Sequence, residues 1–246
     1  MNKKFLFILA IMLISFWSSS QAALSVNRSR FIFDENEKTV SVLVTNTDKL
    51  TPYLAQGWLE DENDKKVPGP IMVLPPLQRM EPGEKTIVRI MALPDVDKLP
   101  KDRESVFYFN LREIPPKSER NNVLTLAMQT RLKIFWRPES IKVDPNAPNI
   151  PGIKNITLKK TIEGYIISNP TPYHVTFIDV LNDVKIGKDK MTPLMVKPKS
   201  TALLPFNNDM KKIGLVFVND FGTKQVLSFE CNEGVCTAKS ILPFKN

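Results

Sequence analysis

The chain has 246 residues, with 34 Lys+Arg against 26 Asp+Glu and one His, for a formal net charge of +8 and an isoelectric point near 9.4. Apolar residues at 42% and charged residues at 24% are the proportions of a folded protein and exclude a disordered one. The single His excludes a multi-His metal site, and nine Gly without a Gly-rich run exclude a phosphate-cradling loop.

Residues 1–22 read as an export signal. Lys3 and Lys4 give a basic start, residues 5–17 are apolar, and Ser20 and Ala22 are the small residues of a cleavage site. At ~1.5 Å per residue the apolar run cannot span ~30 Å of hydrocarbon. No later apolar run approaches the ~18 residues of a membrane span, so the remaining chain is expected to be soluble, with no membrane insertion. Outside the cytosol the basic balance reads as a solvated surface, and no nucleic acid is expected as a partner. An oxidising compartment also favours pairing of Cys231 with Cys236. Their C-x4-C spacing suits a structural hairpin staple; a redox site would have C-x-x-C, and zinc would have four ligands.

From there the chain is predicted to be all-β. Residues 39–44 alternate around Val40, Val42 and Val44, and residues 71–74 form a short apolar run stopped by Pro75 and Pro76. Glu81-Pro82-Gly83-Glu84 is a turn, followed by the β-rich residues 86–90. In 106–111, Phe107, Phe109 and Leu111 share one face, with Val106 and Tyr108 on the other. Residues 123–136 form the longest β-like segment. No stretch holds a 3.6-residue apolar period, and prolines punctuate the chain throughout, a pattern that points to β-sandwiches.

Pro138, Pro145, Pro148 and Pro151 mark a stiff, polar connector between two halves. The second half repeats the short apolar runs at 165–167, 175–177, 201–204, 213–218 and 226–229, and Asn219-Asp220-Phe221-Gly222 is expected to turn the last two into a hairpin. The expected division is a signal at 1–22, a first sandwich at 23–143 and a second at 144–246.

The segment LPKDRESVFYFNLREIP at 99–115 resembles the signature of periplasmic pilus-assembly chaperones of the PapD type. SVNRSR at 25–30, YLAQGW at 53–58, QRMEPG at 78–83, residues 126–138 and the Cys231/Cys236 pair are similar to that family in the same order. The resemblance implies two Ig-like β-sandwich domains joined at an angle, with a cleft between them. It implies a chaperone that binds newly exported pilus (fimbrial) subunits, fills their incomplete sandwich with a lent β-strand, and delivers them to an outer-membrane usher. It implies the periplasm as location, and neither cofactor nor ATP.

The family's roles fall on particular residues here. The lent strand corresponds to 122–129, where Leu124, Leu126 and Met128 alternate on one face. Residues 116–122 ahead of it are short, charged and led by proline, similar to the family's short-loop class. An exposed apolar edge carries an aggregation hazard, so self-association of the free protein through 124–128 is an expectation. Arg30 and Lys133 match the two cations that bind the subunit's terminal carboxylate. A strict strand sends Lys133 to the face opposite Leu124, Leu126 and Met128, a difference that a bulge or strong twist would reconcile. Glu104, Arg137 and Asp220 match an ionic network that fixes the interdomain angle. Pro52, Leu54 and Ile114 match positions of usher contact, although three such residues also suit an ordinary core. His174, with no Cys or Ser partner nearby, reads as structural.

Two other classes are weighed against this reading. A pilus subunit or adhesin would carry an alternating apolar extension after the signal and a disulfide in its first half; here 23–30 is basic and short and both Cys lie at the far end. An exported enzyme is disfavoured by the single His and by the lack of a clustered carboxylate or nucleophile motif, and no catalytic residue is assigned.

Overall fold

The computed structural model describes residues 23–118, 124–182, 185–186, 191–206 and 210–244. Residues 1–22, where the sequence reads as an export signal, and residues 119–123, which include the start of the segment expected to be lent, lie outside the described residues.

The first half holds β1 (Leu24–Val26), β2 (Arg30–Asp34), β3 (Thr39–Asn46), β4 (Tyr53–Glu60), β5 (Ile71–Leu74), β6 (Leu77–Met80), β7 (Lys85–Ala92), β8 (Ser105–Ile114) and β9 (Gln129–Arg137). They form two facing sheets, in the orders β1-β3-β7-β5 and β2-β9-β8-β4-β6. The punctuation seen in the sequence makes the corners. Pro75 and Pro76 carry the chain from β5 in one sheet to β6 in the other, and the 81–84 turn carries it back into β7. Alternation then fills the space between the sheets: Val42, Val44, Ile71, Ile90, Phe109, Ile134 and Trp136 are all buried in one cluster. Phe33 meets Trp136 edge to face with centroids 4.9 Å apart. Each such side chain contributes about 1.5–3 kcal/mol on burial.

The second half holds β10 (Thr157–Thr161), β11 (Gly164–Asn169), β12 (Val175–Asn182), β13 (Lys185–Ile186), β14 (Leu194–Val196), β15 (Ser200–Leu204), β16 (Lys212–Val218), β17 (Lys224–Asn232) and β18 (Val235–Pro243). These join into one continuous sheet, β13-β12-β16-β17-β18-β10-β11-β15, with β14 also on β12. Leu158 and Ile167 from one arm pack with Phe177, Leu215 and Phe229 from the other, so the sheet folds over its own core. A register shift between Ser228 and Phe229, where β17 pairs β18, marks a bend of the kind that lets one sheet turn a corner. Cys231 and Cys236 face each other at the β17–β18 hairpin and are disulfide-bonded.

The sequence reading of 123–136 as one long strand needs correction. The ladder of β9 starts at Gln129, and β8, at ten residues, is longer. Residues 124–128 belong to no strand, and Leu124, Leu126 and Met128 are 82%, 67% and 50% exposed. They find no apolar surface in the chain's own core to lie against.

One device recurs in both halves. Asn46, ending β3, is buried and donates to the Thr51 and Glu81 carbonyls, both at 3.0 Å. Asn169, ending β11, donates to the Tyr173 carbonyl at 2.8 Å and the Lys197 carbonyl at 3.0 Å. Each side chain satisfies loop carbonyls that would otherwise lie unpaired beside a core. In the second half this fixes the 171–174 loop that reaches the first half.

Candidate functional site

β9 supplies the axis of the site. Leu132, Ile134 and Trp136 point into the core, so Arg131, Lys133, Phe135 and Arg137 emerge on the opposite face, towards the second half. No bulge interrupts β9 between its start and Lys133. The β8–β9 register runs unbroken from Gln129 to Trp136.

Parallel pairing sets Arg30 of β2 directly opposite Lys133, and antiparallel pairing sets Tyr108 of β8 on its other side. The two predicted cations are therefore neighbours in one cross-strand row. Arg30 is only 8% exposed and donates from Nη1 to the Val218 carbonyl at 2.9 Å. Its Nε is buried with no hydrogen-bond partner among the described residues. Burial lowers the Arg30 pKa, opposed by the more distant Asp220 and Glu104. Burial also lowers the Lys133 pKa, and the Arg30 and Arg131 charges add to the shift. No carboxylate pairs with Lys133 among the described residues. Two desolvated cations side by side have the chemistry to attract an anion, and the shape of a carboxylate suits an Arg fork beside a Lys point charge.

The same row marks the start of an open edge. β2 begins at Arg30, so β9 has no ladder partner on that side before Lys133 among the described residues. Its other side stays paired with β8 down to Gln129, and the Glu113 amide donates to the Met128 carbonyl at 3.0 Å. A run of unpaired main-chain donors and acceptors thus leads from Lys133 towards the exposed residues at 124–128.

A second charge cluster lies further along the same face of β9. Arg137 donates from Nε and Nη2 to Glu104 Oε1 at 3.0 and 2.7 Å, and its Nη1 meets Asp220 at 2.8 Å. The other Glu104 oxygen accepts the His174 main-chain N–H at 2.7 Å and lies 3.2 Å from His174 Nδ1. The Glu104 amide donates to the Pro172 carbonyl at 2.9 Å. Glu104 and Arg137 are both buried. Burial alone would lower the Arg137 pKa, but the two carboxylates outweigh it and hold the guanidinium above its ordinary value. The three residues expected to bridge the halves do meet. His174, read in the sequence as structural, is a fourth member, through both its main-chain N–H and its ring.

Exposed ion pairs flank this bridge, Lys199 to Asp102 at 2.7 Å and Lys197 to Glu62 at 2.6 Å. A cavity of about 470 Å³ lies between β2 and the proline connector, lined by Arg30, Ile32, Asp34, Pro145, Pro148 and Phe221. Arg131, which sequence reasoning did not single out, stacks 3.7 Å from the centre of the Tyr108 ring and pairs with Glu60 and Asp64. Pro52, Leu54 and Ile114 are half-exposed and lie outside the core, and Leu54 sits opposite Ile114 across β4 and β8. Among the described residues no group of three or more His, Cys, Asp or Glu is placed to hold a metal ion, and no helix is long and apolar enough to cross a membrane.

Residues 23–142 match the family "Pili and flagellar-assembly chaperone, PapD N-terminal domain", and residues 152–229 match "Pili assembly chaperone PapD, C-terminal domain". The chaperone protein PapD of Escherichia coli is 44% identical, across 90% of this chain and 92% of that protein. The chaperone protein PmfD of Proteus mirabilis is 39% identical, across 95% and 93%. The crystal structure of the CupB2 chaperone of Pseudomonas aeruginosa superposes with a TM-score of 0.68 at 28% identity, covering 85% of this chain and 100% of that one. With both domains matched in order, and the signature segment inside the first, the chain belongs to the PapD family of pilus-assembly chaperones.

Proposed function

We propose that this protein is a periplasmic chaperone that caps newly exported pilus subunits and delivers them to an outer-membrane usher. The open edge of β9 and residues 124–128 are lent as a strand, while Arg30 and Lys133 anchor the subunit's C-terminal carboxylate. The observation that carries the reading is the position of the unpaired cations, at the point where the free edge begins.

Strand polarity supports it. β2 runs parallel to β9, and the empty lane lies upstream of β2. A guest strand parallel to β9 in that lane ends at Arg30 and delivers a carboxylate to the two cations. An antiparallel guest would deliver an ammonium and be repelled. Leu124, Leu126 and Met128 then enter the guest, each contributing about 1.5–3 kcal/mol on burial.

The remaining assignments follow from this one. The protein is a binding module, not an enzyme, and works without cofactor or ATP. Residues 1–22 are its export signal, and 23–143 and 144–246 are its subunit-binding and second domains. Pro52, Leu54 and Ile114 offer a half-exposed patch for the usher. Free protein self-associates through 124–128.

The test is capture of partners from periplasmic extract of piliated cells, with mass spectrometry, for wild type and Lys133→Ala in parallel. A stoichiometric small subunit, lost with Lys133→Ala, is the expected result. A partner that survives the substitution leaves the capping role and removes the carboxylate grip. No partner at all overturns the reading.

A further inference from the structure

Arg30 belongs to the first domain, yet the group that orients its guanidinium comes from the second. Its Nη1 donates to the carbonyl of Val218, the last residue of β16, at 2.9 Å. That carbonyl is itself held. The Val218–Asn219 peptide is planar, and its N–H donates to the Thr223 carbonyl at 3.0 Å, so its C=O points away from Thr223, towards Arg30. The Asn219 side chain closes the turn. Its Oδ1 accepts the Thr223 amide at 2.8 Å and the Phe221 amide at 3.2 Å, and its Nδ2 donates to the Pro148 carbonyl of the connector at 3.3 Å. Asn219 is 8% exposed. The turn also abuts the residue before Arg30. Gly222 has φ +83°, and a Cβ there would lie 2.9 Å from Ser29 Oγ.

We infer that Asn219 is a positioning residue for the carboxylate grip, holding the Val218 carbonyl so that the Arg30 fork is aimed before a subunit arrives. This rests on the proposed role of Arg30 and Lys133. A guanidinium has five N–H donors in a rigid plane, so pinning one edge fixes the direction of the others. A fork fixed in advance loses less freedom when it closes on a carboxylate. The Glu104–Arg137–Asp220 bridge passes through the next residue of the same turn, so the domain contact and the grip share one backbone segment.

The test uses the full-length mature protein and two peptides covering the C-terminal strand of the captured subunit, one a free acid and one a C-terminal amide. Wild type is expected to prefer the acid. Asn219→Ala should cut that preference by about 2- to 10-fold with affinity for the amide unchanged. Asn219→Asp, which keeps both Oδ1 contacts, should retain most of it. Where Asn219→Ala does not fold, Asn219→Ser is read in the same way. An equal loss for acid and amide, or an unchanged preference, overturns the positioning role. Arg30→Ala and Lys133→Ala separate the two levels. If they keep the preference for the acid, or if wild type has none, the grip itself is wrong and the inference falls with it.

Discussion

Lys133 and Arg137 emerge from the same face of β9, and their surroundings are opposite. Arg137 is buried and meets two carboxylates, with a third contact to Glu104 from the His174 main chain. Lys133 is half-buried beside another cation and meets no carboxylate among the described residues. Both charges lose water, but among the described residues only Arg137 has its counter-charges. A desolvated charge that the fold satisfies serves architecture, and one without a counter-charge is a candidate for a ligand.

The largest effect comes from breaking the satisfied side. Glu104→Ala leaves the Arg137 charge buried and half-paired, and should cost about 3–5 kcal/mol in urea unfolding. Breaking the unsatisfied side should act the other way on the fold. Lys133→Met removes a desolvated cation with no carboxylate partner among the described residues, so equal or greater stability is expected in the same assay, while subunit affinity falls by about 2–5 kcal/mol.

A pH series sharpens the contrast. The Lys133 pKa is lowered in the free protein, so in alkaline solution, between that pKa and the unfolded one, the unfolded chain binds more protons. Stability gains a rising contribution with pH through that window, and Lys133→Met should lose it. A bound carboxylate favours the charged lysine and raises its pKa, so subunit affinity should hold at neutral pH and decline as pH climbs through the lowered value. Calorimetric titration of the acid peptide across that range checks the direction. The smallest effect is expected at the rim. Lys199→Ala breaks an exposed pair with Asp102 and should change stability by less than about 1 kcal/mol, less still at high salt.

Much of this arrangement was legible in residue order. Alternation at Phe107, Phe109 and Leu111 gave the buried face of β8, prolines gave the corners, and the Cys spacing gave the β17–β18 hairpin. The roles proposed for Arg30 and Lys133 came from resemblance; their adjacency needed the parallel β2–β9 register, which no local pattern encodes. The 123–136 segment misled because alternation is the same in a paired strand and in an unpaired stretch of chain. The partners of His174, Asn169 and Asn219 were not legible for a common reason. Each acts with main-chain N–H or C=O groups, which every residue carries and which therefore leave no trace in composition or spacing.

The unbroken pairing of β9 with β8 has a consequence for how this sequence can vary in length. Side-chain direction along a strand is a two-letter alphabet, up or down, and Lys133 and Arg137 must both spell the same letter. An insertion or deletion of one residue between them would turn one cation into the space now filled by Ile134 and Trp136. Only an even change in the number of residues between them keeps Lys133 and Arg137 on one face, a frame rule written in backbone geometry.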